Sequence, residues 1–385
     1  MKARRLPRLG RRLVEPFPLV AGNRFATAER SDAYFGRMLG AINEARASVD
    51  VEMYLWVDDE IGQSFVAALH AAVTRGVRVR VLVDAVGSSD VVDALRVVDE
   101  AGGDVRVFSP FRIRFLSRWF HRTHKKLLLC DGELAYTGGA GFSRYWSGGS
   151  RSELPWHDRM FELRGPVVRQ LVTVFESDFH RWRASRERAA TEPVRLSPDL
   201  SPAGSADLQV LRGWPDSRDF SAALLREIRA AKERIWIGTP YFIPPPSLLR
   251  ALTAALRRGV DVRLVLPSGN YAHPLVWHAS RRHYAWFLKR GAKIHEFANA
   301  FYHAKLAVID RSVAIVGSSN LDYWSWSRNA EMDLVASDAP SVELMAGCFE
   351  ADVARSREVR LSDIGMRSFW HRVKNHVAGW VERWL

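Results

Sequence analysis

The chain repeats itself, and the repeat limits what it can fold into. The segment EARASVDVEMYLW, ending at Trp56, is answered by AKERIWIGTPYF, ending at Phe242. HAAVTRGVRVRVLVD, around Gly76, is answered by TAALRRGVDVRLVLP, around Gly259. THKKLLLCDGELAYTGG is answered by YHAKLAVIDRSVAIVGS. Three matched blocks in one order, separated by loops of drifting length, mark a duplication. The 385 residues therefore divide into two similar units, each long enough to bury its own core.

Each unit follows one coarse pattern. A helical stretch, Ser31 to Ala47 or Asp219 to Ala231, leads to an apolar strand. A second helix ends at Gly76 or Gly259, where a helix C-cap needs a left-handed residue. Val77 to Val83 and Val260 to Leu266 follow at once as strands rich in valine and leucine. Strands alternating with helices predict an α/β fold, each unit a mostly parallel sheet flanked by helices. The Pro-, Ser- and Gly-rich stretch 197–207 reads as the linker between units 13–196 and 208–360. A basic arm, 1–12, and a C-terminal segment, 361–385, flank them.

Composition excludes several classes. Apolar residues make up 47% of the chain and charged residues 26%, a globular balance. Two cysteines, Cys130 and Cys348, cannot build a disulfide framework, and they read as small buried apolar residues. No run of eighteen apolar residues predicts a spanning helix. The basic N-terminus lacks the long apolar core and cleavage site of a signal peptide. A net charge of +13 points to a polyanionic partner, nucleic acid or anionic membrane. Fourteen tryptophans favour positions wet at one end and apolar at the other.

Each unit carries one polar triplet in an apolar setting: His124, Lys126 and Asp131, then His303, Lys305 and Asp310. Strand alternation puts residues i and i+2 on one face, so each histidine points with its lysine. A lone histidine beside a lysine at a strand start is usually a solvated edge; two copies at matching places argue for chemistry. Small residues follow, Gly138-Gly139 and Gly317-Ser318, where a backbone or a phosphate can approach closely. His121 and His124 are three apart, but neither unit shows a His/Asp/Glu set at metal spacing. A lysine inside each triplet disfavours a bound cation. No metal or cofactor is expected.

With these motifs the sequence resembles the phospholipase D superfamily, which is defined by paired HxKxxxxD motifs. More closely it is similar to the bacterial cardiolipin synthases, in the short form without N-terminal membrane helices. The likeness runs from about Leu13 to Cys348. It includes RTHKK (Arg122 to Lys126), TPYFIP (Thr239 to Pro244), HPLV (His273 to Val276), GSSN (Gly317 to Asn320) and RNAE (Arg328 to Glu331). One departure is Gly138-Gly139-Ala140-Gly141, with Gly141 where the family carries asparagine.

The resemblance implies two lobes sharing one cleft, in which both histidines face one phosphate. One imidazole attacks phosphorus and forms a phosphohistidine; the other protonates the leaving alcohol and deprotonates the incoming one. By analogy His124 is the nucleophile and His303 the acid/base, although the residues themselves leave the order open. Lys126 and Lys305 would clamp phosphoryl oxygens, with Ser318 and Asn320 as neutral donors. The family's acidic partners of the histidines match Asp158 and Glu331. Asp131 and Asp310 complete the catalytic motif, and at the ends of apolar strands they read as structural.

The implied activity is transfer of a phosphatidyl group between phospholipids to form cardiolipin. The resemblance implies phosphatidylglycerol as a substrate, with a second phospholipid as a candidate donor. Hydrolytic phospholipase D and a nuclease of the same superfamily are the alternatives. A non-catalytic lipid-binding protein is conceivable through Gly141, but both histidines argue against it. Aromatic residues beside the site weigh against nucleic acid, and peripheral binding to an anionic bacterial inner membrane follows.

Two segments are candidates for that contact. In Phe111 to Arg122, four arginines interleave with Phe111, Phe115, Trp119 and Phe120. The other reading is a loop packed on its own protein. In Phe369 to Leu385, Trp370 and Trp380 lie on one apolar helical face, which suits either a bilayer or the domain surface.

Overall fold

The computed structural model describes residues 15–28, 31–110, 121–147, 155–182, 200–213, 217–269 and 274–365. The candidate membrane residues Phe111, Phe115, Trp119, Phe120, Trp370 and Trp380 lie outside them, as do the basic arm and His273.

The duplication is visible as a near-palindrome of strands. One fifteen-stranded sheet runs through the described residues. From one edge its order is Asp104–Phe108, Arg78–Asp84, Ser48–Met53, Lys126–Cys130, Leu134–Gly138, Met160–Arg164 and Val20–Ala28. The sequence then continues in mirror order through Ala206–Arg212, Met332–Ala336, Val313–Gly317, Leu306–Ile309, Arg234–Gly238, Asp261–Pro267 and Lys293–Phe297, with Ser356–Glu358 added at the far edge. The two lobes join where Val20–Ala28 lies antiparallel to Ala206–Arg212. The latter strand begins inside the stretch expected to be a linker.

The α/β reading holds, with one correction. Within the large sheet, parallel pairing is confined to three consecutive strands of each lobe, Ser48–Met53, Arg78–Asp84 and Asp104–Phe108 in the first and Arg234–Gly238, Asp261–Pro267 and Lys293–Phe297 in the second, whose connections are helices. The inner strands pair antiparallel, and one pair in each lobe is a hairpin closed by a short turn. Lys126–Cys130 returns as Leu134–Gly138 after a few residues, too few for the crossover that a parallel neighbour needs. These antiparallel strands are buried along most of their length, since helices cover this part of the sheet as well. Helix Val168–Arg181 is one such cover and helix Ala339–Ala354 another, both contributing to one core cluster.

The glycines at the helix ends do what their position demands. Gly76 and Gly259 adopt φ of 85° and 84° after the helices Glu60–Thr74 and Pro246–Arg257. A Cβ-bearing residue would be strained there.

Asp131 and Asp310 act as a matched pair. Both sit at positive φ just past a strand. Asp131 accepts hydrogen bonds from the backbone N–H groups of Arg46, Ala47 and Ser48, at 2.7 to 3.2 Å. Asp310 accepts from those of Lys232, Glu233 and Arg234, at 2.8 to 3.2 Å. Each carboxylate thus ties the entry of one strand to the exit of its neighbour. Replacing Asp310 by alanine leaves three donors to water, and should cost about 2 kcal/mol in urea unfolding. An unchanged midpoint would mean that the strand entry is held by other contacts.

Candidate active site

The histidines of the two triplets meet. His124, Lys126, His303 and Asn320 line one cavity of about 390 Å³, together with Tyr54, Trp146, Trp156, Tyr241, Ile243 and Val276. The strand start places the polar groups. His124 and Lys126 face the cleft, whereas Lys125, between them, points the other way and pairs with buried Asp178. That is strand alternation at work.

Backbone bridges between the lobes hang each histidine on the opposite half. The N–H of His124 donates to the carbonyl of Ala330 at 2.8 Å, and that of His303 donates to the carbonyl of His157 at 2.8 Å. The second bridge is extended by parallel pairing of Trp156–His157 with Phe301–Tyr302. In both cases the residue after the accepting carbonyl is the carboxylate. Glu331 follows Ala330, and its Oε2 lies 2.9 Å from His124 Nδ1. Asp158 follows His157, and its Oδ2 lies 2.5 Å from His303 Nδ1. The pairs are crossed: each motif histidine is oriented by the other lobe. The family resemblance points to Glu331 and Asp158 but not to their crossing.

The electrostatics follow from burial. Both histidines are almost fully buried. His124 is held below its usual pKa by desolvation, against the pull of Glu331. His303 falls to about 3 through desolvation and the charge of Lys305. Burial alone would raise Glu331 and Asp158. The charges and hydrogen bonds around them outweigh it, chiefly His124 for Glu331 and Lys305 for Asp158, and leave both below the usual carboxylate range. Each pair is thus a neutral imidazole donating Nδ1–H to an ionised carboxylate, with Nε2 carrying the lone pair. Lys126 is lowered to about 7 by burial and by Lys305, and Lys305 to about 8 by burial. Two ammonium groups in a dry cleft repel each other, and an anion between them would relieve both.

Ser318 differs from its expected role. Its Oγ donates to Glu331 Oε2 at 2.5 Å and accepts the N–H of Met332 at 3.0 Å. It braces the carboxylate instead of facing the cleft. Ser325, which sequence reasoning passed over, does the same from 2.7 Å. In the first lobe the position matching Ser318 is Gly139, and a Cβ there would stand 2.1 Å from Asp158 Oδ1. The small residue makes way for a carboxylate, not for a phosphate.

Asn320 is buried, with Oδ1 lacking a partner among the described residues, so the cleft holds an unused polar group. Its counterpart Gly141 is explained sterically, because a Cβ there would lie 2.2 Å from the carbonyl oxygen of Leu55. Asp131 and Asp310 are not in the cleft. Asp131 lies at the far end of the strand from Lys126, roughly 16 Å along it at the usual rise per residue. Trp146 and Trp156, also missed, flank His303 with ring centroids 6.0 and 4.9 Å away. Nothing near them in the sequence marks them out from the other twelve tryptophans. Among the described residues no group of three or more His, Cys, Asp or Glu is placed to hold a metal.

A two-lobed sheet with paired histidines and lysines in a shared cleft defines a phospholipase D-like protein. The family model for "Cardiolipin synthase, PLD-like domain" matches residues 38–154 and 224–353, so both lobes are covered. The major cardiolipin synthase ClsA of Bacillus subtilis is 32% identical over 348 residues, 89% of this chain and 72% of the relative. The cardiolipin synthase of Halalkalibacterium halodurans is 30% identical, covering 88% and 68%. Among solved structures, the phosphatidylserine synthase of Haemophilus influenzae aligns over 95% of each chain with a TM-score of 0.75 at 14% identity, a likeness of fold. The chain belongs to the cardiolipin synthase family of PLD-like proteins.

The crossed pairs make a sharp expectation. Glu331→Gln should shift the imidazole nitrogen resonances of His124 while leaving those of His303 in place, and Asp158→Asn should do the reverse. The opposite assignment in the NMR spectra would refute the crossing. Protonation is also linked to stability. His303 is neutral when folded down to about pH 3, while an unfolded histidine takes up a proton near pH 6.5. The unfolded state therefore binds more protons between those values, and this contribution to stability should fall as pH drops from 6.5 towards 3.

Proposed function

We propose that the chain is a phosphatidyltransferase of the cardiolipin synthase type, acting on phospholipids through a phosphohistidine. The observation that carries this reading is the pair of imidazoles in one cleft, each tied at Nδ1 to a carboxylate, with Lys305 Nζ 3.0 Å from Nε2 of His303. Family membership supports the substrate class, with phosphatidylglycerol as the proposed substrate and acceptor. A peripheral position on the bacterial inner membrane follows from that substrate. No helix among the described residues is long and apolar enough to cross a membrane.

The steps follow from the charges. A phosphodiester anion enters between Lys126 and Lys305 and offsets their mutual repulsion. With that anion bound, the cleft tolerates a proton on His303 Nε2. His124 Nε2 attacks phosphorus, the bond to the headgroup oxygen breaks, and His303 gives its proton to the departing alcohol. The glycerol hydroxyl of a second lipid then passes its proton to His303 and attacks phosphorus, and the bond to His124 breaks. Two phosphatidylglycerol molecules thus become diphosphatidylglycerol and glycerol. Glu331 and Asp158 hold the tautomers and stabilise the imidazolium that forms on either ring. Trp146, Trp156, Ile243 and Val276 make part of the wall apolar, which favours a lipid alcohol over water in the second step.

Labelled phosphatidylglycerol in mixed vesicles, with products separated by mass, tests the reading. Diphosphatidylglycerol supports transfer, whereas phosphatidic acid alone would make the enzyme a hydrolase. His124→Ala and His303→Ala should each lower the rate by roughly 10³-fold or more. Chelators should leave it unchanged, since lysines supply the positive charge; activity restored by added metal after dialysis would contradict the scheme.

A further inference from the structure

A second cavity lies outside the cleft. It is a groove of about 740 Å³ between helix Pro246–Arg257 and the segment that holds helices Pro274–Arg281 and Tyr284–Leu288. Its walls include Leu249, Arg250, Arg257, Arg282, His283 and Trp286, and among the described residues no acidic one lines it. Arg250 and Arg257 are exposed and seven residues apart, two turns along one helix face. Among the described residues neither forms an ion pair. The opposite face of that helix buries Leu248, Ala251, Leu252 and Ala255, so the arginine face is the outward one.

The indole of Trp286 is 49% exposed at the groove. It is held in place, with Nε1 donating to Thr253 Oγ1 at 3.3 Å and the Arg290 guanidinium 3.3 Å above the ring centroid. An ordered, half-exposed tryptophan among arginines matches a headgroup boundary, where apolar rings and cationic heads are both accommodated. The duplication supplies an internal comparison. Counted back from Gly259 and Gly76, the first-lobe counterparts of Arg250 and Arg257 are Ala67 and Thr74. The cationic wall is therefore an addition to the second lobe and not a requirement of the fold. Helix Pro274–Arg281 also sends Val276 into the catalytic cleft, so one helix borders the cleft and leads to the groove.

We propose that this groove binds the phosphate headgroup of an anionic phospholipid in the bilayer surface, and so docks the second lobe on the membrane beside the cleft. The choice of a lipid anion rests on the function proposed above; the cationic groove itself does not.

Co-sedimentation of the full chain with phosphatidylcholine vesicles, with and without phosphatidylglycerol, tests it. A basic side chain near an anionic surface is worth about fivefold in partitioning, so Arg250→Gln with Arg257→Gln should weaken binding to phosphatidylglycerol vesicles by roughly 30-fold at low salt. Binding to phosphatidylcholine alone should not change, and turnover of monomeric short-chain phosphatidylglycerol should stay at the wild-type rate. His124→Ala should show the converse, full vesicle binding with no turnover. Equal partitioning of the double variant and the wild type would overturn the proposal. So would an equal loss on neutral vesicles, or a loss confined to single-stranded oligonucleotide. If no protein turns over the short-chain lipid while the double variant still loses vesicle binding, the catalytic reading fails and the groove stands.

Discussion

The structure turns on two crossed hydrogen bonds, His124 to Glu331 and His303 to Asp158, made between lobes 207 and 145 residues apart in the chain. Neither lobe contains a complete unit of imidazole and carboxylate. Separated, each would leave a histidine without orientation and a buried carboxylate without its donor, and both are costly in a dry interior. Joining the lobes therefore completes the chemistry and satisfies the buried charge in the same step. The backbone bridges that carry the pairs are equally reciprocal, so the geometry of the cleft depends on the lobe interface itself.

A duplicated fold begins symmetric, and several departures from symmetry in this one fall near the paired histidines. Asn320 offers a polar side chain to the cleft where Gly141 offers none, because the Leu55 carbonyl fills that space. Ser318 braces Glu331, while Gly139 yields to Asp158. Trp146 and Trp156 crowd His303, whereas Tyr54 lies 4.8 Å from His124. Desolvation acts on both imidazoles, but their neighbours differ. Two rings of one residue type are thereby placed in different surroundings.

Much of the fold was legible because it rests on local rules. Apolar strand runs, helix-terminating glycines at positive φ and the matched triplets all act over a few residues, and each appears where expected. The direction of the inner strands was misread. Burial on both faces makes an antiparallel strand look like a parallel one, and only the short connections betray the difference. Glu331 and Asp158 were reached through the family resemblance, which places an acidic partner past each motif. Ser325, Trp146 and Trp156 were not, since their part depends on which lobe they face.

By itself the sequence determined the duplication, the paired histidine–lysine motifs and the strand-end aspartates, because residue type and short-range spacing carry that information. Tertiary structure alone decided that the carboxylates serve the opposite lobe's histidines, that Ser318 supports a carboxylate, and that Gly141 has no room for a side chain. Those outcomes depend on contacts between residues far apart in the chain, whose distances are set only when the two sheets join.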